Sequence, residues 1–239
     1  MTTAIILAGG MGTRLKSVVA DRPKPLALIA GRPFLEWQLE LLAAKGVDNC
    51  ILAVGYLADQ IQTHFGSEYR GMVIQYSVEA SPLGTGGAFR QALDHVETDS
   101  VIVMNGDTFL DYPLQELLAA VKHGADASIA VVTATDSSRY GTVLVDSAFS
   151  VTGFEEKGAM VRSQWINAGA YCINKSAFLK EGLTGAFSLE SHYFQAKVKA
   201  LNLKAIPVHS RFIDIGIPSD FMDAQTVIPD LAQQTSVNG

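Results

Sequence analysis

Three short runs, Ala4–Ala8 (AIILA), Cys50–Val54 (CILAV) and Val101–Met104 (VIVM), are apolar at every position. A strand with one wetted face alternates, so runs this continuous fit parallel strands covered by helices on both sides. Longer segments lie between them, with apolar residues recurring at three- and four-residue spacing, as in Phe34, Trp37, Leu41 and Leu42. That spacing marks a helix with one buried face. In order, the first half reads TAIILA, PFLEWQLELLAAKG, NCILAV, LADQIQTHFG, MVIQYSVE, TGGAFRQALDHV and SVIVMNGD. Alternating strand and helix predict an α/β fold with a single open, doubly wound, Rossmann-like sheet.

The pattern changes after Ala125. DASIAVVTAT, YGTVLVD, SVTGFEEK and WINAGAYCI are strand-like with short connections, KSAFLKEG and SLESHYFQAKVKAL read as helices, and KAIPVHSRFIDIG reads as two more strands. These strands make the sheet mixed, and we read them as a second layer of the same domain, suited to a second ligand. A chain of 239 residues accommodates one large α/β domain. We assign residues 1–228 to it and read 229–239 as a frayed tail. No internal repeat is visible.

A net charge of -6 disfavours nucleic acid and anionic lipid, which need a broad positive field. An anionic ligand must therefore meet a local basic site. No apolar run reaches the roughly 18 to 20 residues that cross a bilayer. The first residues carry neither a basic n-region nor a cleavage site, so a cytoplasmic location is expected. Cys50 and Cys172 lack CxxC spacing and read as buried thiols, and the five histidines form no HExxH pattern.

The loop after the first strand is the natural phosphate site of an open α/β sheet. Gly9, Gly10 and Gly12 occupy it, where glycine lets backbone amides approach a phosphate, although a plain flexible turn fits the glycines equally well. A dinucleotide fingerprint from Gly10 would need glycine where Leu15 stands, and no GxxxxGK[ST] loop occurs. Arg14, Lys16, Arg22 and Lys24 follow within eleven positions, which favours an anion site over scattered surface charge. Arg14 offers a fork of donors, and Lys24 is a point charge bracketed by Pro23 and Pro25. Lys16 and Arg22 read as rim residues.

EASPLGTGGAF forms a second glycine-rich turn that opens a helix, whose amides could take a phosphate or a base edge. Glu79 there could accept from the N1–H and N2–H of guanine, or could be a solvated strand-end carboxylate. Asp107 and Asp214 each end a strand beside a glycine. Alone each would be a turn residue; together, beside a basic loop, they fit one Mg²⁺, which takes one or two carboxylates plus substrate phosphates. Glu155, Glu156 and Lys157, with Asn167 and Gly169, suit a sugar phosphate, or else form a charged hairpin.

The ordered set LAGGMGTRL, RPKPL, PLGTGGA, NGD, YGTV, FEEK, NAGAY and FIDIG resembles the sugar-1-phosphate nucleotidyltransferases across nearly the whole chain. FSLESHYF and FIDIGIPSDF look most like that family's heptose 1-phosphate guanylyltransferases. The resemblance implies the nucleotide-diphospho-sugar transferase type of fold, with a sugar-binding second half. By the same resemblance, Leu7, Ala8, Gly9 and Gly10, with Glu79, Pro82 and Gly84, would frame the base. Gly12, Thr13, Arg14 and Lys24 would hold the phosphates, with Arg14, Lys24 and Asp107 catalytic. Asp107 and Asp214 would bind Mg²⁺, and Tyr140, Gly141, Glu156, Lys157, Asn167 and Gly169 would contact the sugar phosphate.

The implied substrates are a nucleoside triphosphate, with GTP favoured, and a sugar 1-phosphate. Neither nucleic acid nor membrane is implied, and the expected state is monomer or homodimer. Uridylyl or thymidylyl transfer, mannose 1-phosphate as acceptor and a non-catalytic nucleotide-sugar sensor are the alternatives. The sensor should lack Lys24 or one aspartate, and all three are present.

Overall fold

A computed structural model describes residues 1–10, 12, 15, 22–133, 141–155 and 164–237, with side chains as far as residue 232. The first half holds β1 (Thr3–Leu7), β2 (Leu28–Ile29), β3 (Arg32–Pro33), α1 (Phe34–Ala44), β4 (Asn49–Val54) and α2 (Ala58–Phe65). It continues with β5 (Glu68–Tyr69), β6 (Met72–Val78), α3 (Gly84–Ala92), β7 (Ser100–Asn105), β8 (Thr108–Phe109) and α4 (Leu114–Lys122). The second half holds β9 (Ala127–Thr133), β10 (Thr142–Val145), β11 (Val151–Glu155), β12 (Trp165–Asn174), α5 (Lys175–Lys180), β13 (Leu203–Pro207), β14 (Ile213–Asp214) and α6 (Pro218–Val237). Helix α6 covers residues 229–237, the segment read from sequence as a tail, and Leu231 is buried.

One ten-stranded mixed sheet carries the molecule, in the order β11-β10-β12-β7-β1-β4-β6-β5, with β9 beside β12 and β13 beside β9. Strands β7, β1, β4 and β6 run parallel. Strands β9 to β13 extend this same sheet instead of forming a layer of their own, because β12 pairs antiparallel with β7, while β14 pairs with β8 apart from it.

Along β1 the pleat sends Ala4 and Ile6 to one face and Ile5 to the other, and each face meets its own apolar cluster. Phe34 and Leu39 of α1, Leu117 of α4 and Ile228 of α6 cover one face. Phe89 of α3, Phe178 of α5 and Tyr193 cover the other. Burial on both faces is the reason residues 4–7 of β1, 50–54 of β4 and 101–104 of β7 are all apolar. Cys50 and Cys172 are free thiols in this core, and burial pushes Cys172 up to about 12.

The carboxyl ends of β1 and β7 meet at Gly106. A Cβ there would lie 2.6 Å from Leu7 O and 2.9 Å from Ala8 Cα, both backbone atoms. We expect Gly106→Ala to destabilise the fold by about 1–3 kcal/mol through overpacking. Urea unfolding checks this; an unchanged midpoint would show that the junction yields.

Candidate active site

Backbone bonds draw the strand ends into one row: Ala8 N–H donates to Ala53 O at 2.8 Å, Glu79 N–H to Val54 O at 2.8 Å, and Gly106 N–H to Leu7 O at 2.9 Å. Leu7–Gly10, Glu79 and Asp107 thus lie side by side beyond the carboxyl edge of the sheet, where open α/β sheets bind ligands.

A cleft of about 210 Å³ opens there, lined by Leu7, Gly9, Gly10, Glu79, Pro82 and Gly84, together with Thr85 and Ala88. Ala8 is buried behind it. A Cβ on Gly9 would fall 2.1 Å from Glu79 Oε1, so the glycine makes room for this carboxylate. Glu79 Oε2 accepts from Leu83 N–H at 2.8 Å. Burial raises the Glu79 pKa, and the Leu83 amide opposes that rise. At the start of α3, Gly86 N–H and Gly87 N–H donate to Phe187 O at 2.9 and 3.3 Å. These two amides are therefore engaged by the chain itself, and Glu79 is the charged side chain among the residues that line the cleft.

Lys24 opens a single 3₁₀ turn, Lys24–Leu26, entered through Pro23. Its side chain is 12% exposed, and its ammonium donates to Asp107 Oδ2 at 2.8 Å. Gly12 adopts φ +58, and a Cβ there would sit 2.9 Å from Lys24 Cβ, so Gly12 rests on the lysine.

Strands β8 and β14 pair Thr108 with Asp214, and Ile215 N–H donates to Asp107 O at 2.9 Å. The small ladder brings together two carboxylates that are remote in sequence. Burial, and then the charge of Asp107, raise the Asp214 pKa, while Lys24 acts in the opposite sense. Mutual repulsion of this kind is what a shared cation relieves. Among the described residues no group of three His, Cys, Asp or Glu side chains forms around them. Such a pair fits an ion that completes its shell with phosphate and water.

In the second half, the pairing of β12 with β9 shifts register between Asn167 and Tyr171. Bulges of this kind re-aim side chains next to sites. Gly169, at φ +71, packs so closely that a Cβ would lie 2.8 Å from Asn105 Nδ2. Asn167 Oδ1 accepts from Gly169 N–H at 2.9 Å, and Asn167 N–H reaches Gly141 O at 3.5 Å. Asn167, Gly169 and Gly141 thus approach the loop that carries Asp107. Thr13, Arg14, Tyr140, Glu156 and Lys157 lie outside the described residues.

One contributor escaped the sequence reading. Gln38, fully buried on α1, donates through Nε2 to Asn105 O and Thr108 O, both at 2.9 Å, and so holds the Asp107 loop at each end. A lone amide inside the apolar stripe of α1 was the available signal.

Residues 3–230 match the family model described as nucleotidyl transferase, and the chain belongs to that family. It is 39% identical over 223 residues to a D-glycero-alpha-D-manno-heptose 1-phosphate guanylyltransferase of Aneurinibacillus thermoaerophilus, covering 93% of this chain and 96% of that protein. Against the protein of the same name in Campylobacter jejuni, identity is 42% over 218 residues, with 91% and 96% covered. The crystal structure of HddC from Yersinia pseudotuberculosis, complexed with GMP-PN, superimposes with a TM-score of 0.80 at 35% identity, covering 94% of this chain and 98% of that one. Among the described residues no helix is long and apolar enough to cross a membrane.

Proposed function

We propose that this enzyme transfers a guanylyl group from GTP to D-glycero-alpha-D-manno-heptose 1-phosphate, giving GDP-heptose and pyrophosphate for surface glycan synthesis. The carrying observation is the Glu79 carboxylate, held by Leu83 N–H against Gly9 at the wall of the cleft. Guanine presents N1–H and N2–H side by side, and a carboxylate accepts from both. The names of the two bacterial relatives support the same base and the same sugar.

The acceptor phosphate is anionic at neutral pH and needs no base. An oxygen of the sugar phosphate bonds to the α-phosphorus as the α–β bridging bond breaks, and pyrophosphate leaves with that electron pair. The protein's share is positioning and charge neutralisation. Lys24 and Arg14 take the triphosphate, Gly10 and Gly12 let it approach the backbone, and Lys157 orients the incoming phosphate. Tyr140, Gly141, Glu156, Asn167 and Gly169 contact the sugar phosphate. Asp107 and Asp214 hold Mg²⁺, which when bound neutralises phosphate charge. Lys24 also steadies Asp107.

Glu79→Gln tests the base assignment. The amide keeps one acceptor and turns a donor toward guanine, so kcat/KM for GTP should fall about 10- to 100-fold, the loss of a charged hydrogen bond. Gly9→Ala should reproduce the loss by displacing the carboxylate. An unchanged ratio of GTP to UTP activity in both variants would overturn the assignment.

A further inference from the structure

The two halves of the site are joined by side-chain bonds that the reaction above does not use. Glu190 lies on a π-helical turn, Leu189–Gln195, packed beside α3. Its Oε2 accepts from Thr85 Oγ1 at 2.6 Å and from Ser188 Oγ at 2.9 Å. Its Oε1 faces the Tyr171 hydroxyl at 3.5 Å, and that hydroxyl accepts from Asn167 Nδ2 at 2.9 Å. One carboxylate therefore links Thr85, on the wall of the base cleft, with Asn167, on the acceptor side.

Three further facts make the link specific. Tyr171 is fully buried, so its hydroxyl acts on a substrate only through what it holds. Phe187, just ahead of the turn, pairs by backbone with Leu83 and Gly86, so the segment is already docked on the base loop without Glu190. The π geometry is rare, occurs often at functional sites, and here presents Glu190 between the two loops.

We propose that Glu190 is a positioning residue that sets the spacing between the nucleotide loop and the acceptor loop, through Thr85 on one side and Tyr171–Asn167 on the other. The proposal rests on reading the cleft as the nucleotide site and Asn167 as a sugar contact. The link is polar and nearly continuous, and it joins the two loops whose substrates must bring their reacting atoms to about 3–3.5 Å.

Steady-state kinetics with GTP and the heptose 1-phosphate test it. In Glu190→Ala, KM should rise about 3- to 10-fold for both substrates and kcat should fall, the scale of one lost hydrogen bond on each side. Glu190→Gln, which keeps the shape and one acceptor, should recover most of the loss. Tyr171→Phe should raise KM for the sugar phosphate alone. A merely structural role would not divide the substrates in this way. Wild-type KM values for both substrates in Glu190→Ala, or an equal rise for both in Tyr171→Phe, would overturn the proposal. If Glu190→Ala does not fold, Tyr171→Phe, which cuts the link at its other end, carries the test. Failure of the wild type with every substrate pair would instead remove the reading on which it rests.

Discussion

Lys24→Ala is expected to cut the rate of pyrophosphate release by at least about 100-fold, the order lost with one preorganised charge contact. The lysine is held from three sides: Pro23 fixes its approach, Gly12 lies on its stem, and Asp107 bonds its ammonium. Its charge is therefore set in place before a triphosphate arrives. Lys24→Arg should not restore the rate, because a planar fork of donors does not reproduce the compact ammonium that bonds Asp107. Near-normal turnover in Lys24→Ala would remove the lysine from the reaction.

Asp107→Ala should lose at least about 100-fold as well, for a compound reason. The substitution frees Lys24 from its partner and leaves Asp214 as the single carboxylate. Asp107→Asn separates these effects, since the amide oxygen still accepts from Lys24 but carries no charge. We expect the asparagine variant to fall nearly as far and to need more divalent cation for half-maximal rate. Turnover and cation dependence like those of the wild type would show that Asp107 serves only to anchor Lys24.

The fold was legible where both faces of a strand are buried: β1, β4 and β7 declare themselves by uninterrupted apolar runs. The second half was read as strands, yet its membership of the same sheet depends on the pairing of β12 with β7, and no local pattern encodes that pairing. Asp107 and Asp214 could be placed at strand ends from sequence. Their approach through β8 and β14 could not be derived, because two-residue strands carry no periodic signal. Gln38 and Glu190 were missed for a related reason. Each is one polar residue inside a helical stretch, and its role lies in carbonyls and hydroxyls that the fold supplies from distant segments.

The central claim is best tested by pyrophosphate release from GTP, ATP, UTP and dTTP, each paired with D-glycero-alpha-D-manno-heptose 1-phosphate, mannose 1-phosphate and glucose 1-phosphate. The account predicts that GTP with the heptose 1-phosphate exceeds every other pair in kcat/KM by at least about tenfold, the discrimination expected of a site that hydrogen-bonds its substrate. Higher activity with a pyrimidine triphosphate or with mannose 1-phosphate, or no release from any pair, would contradict it.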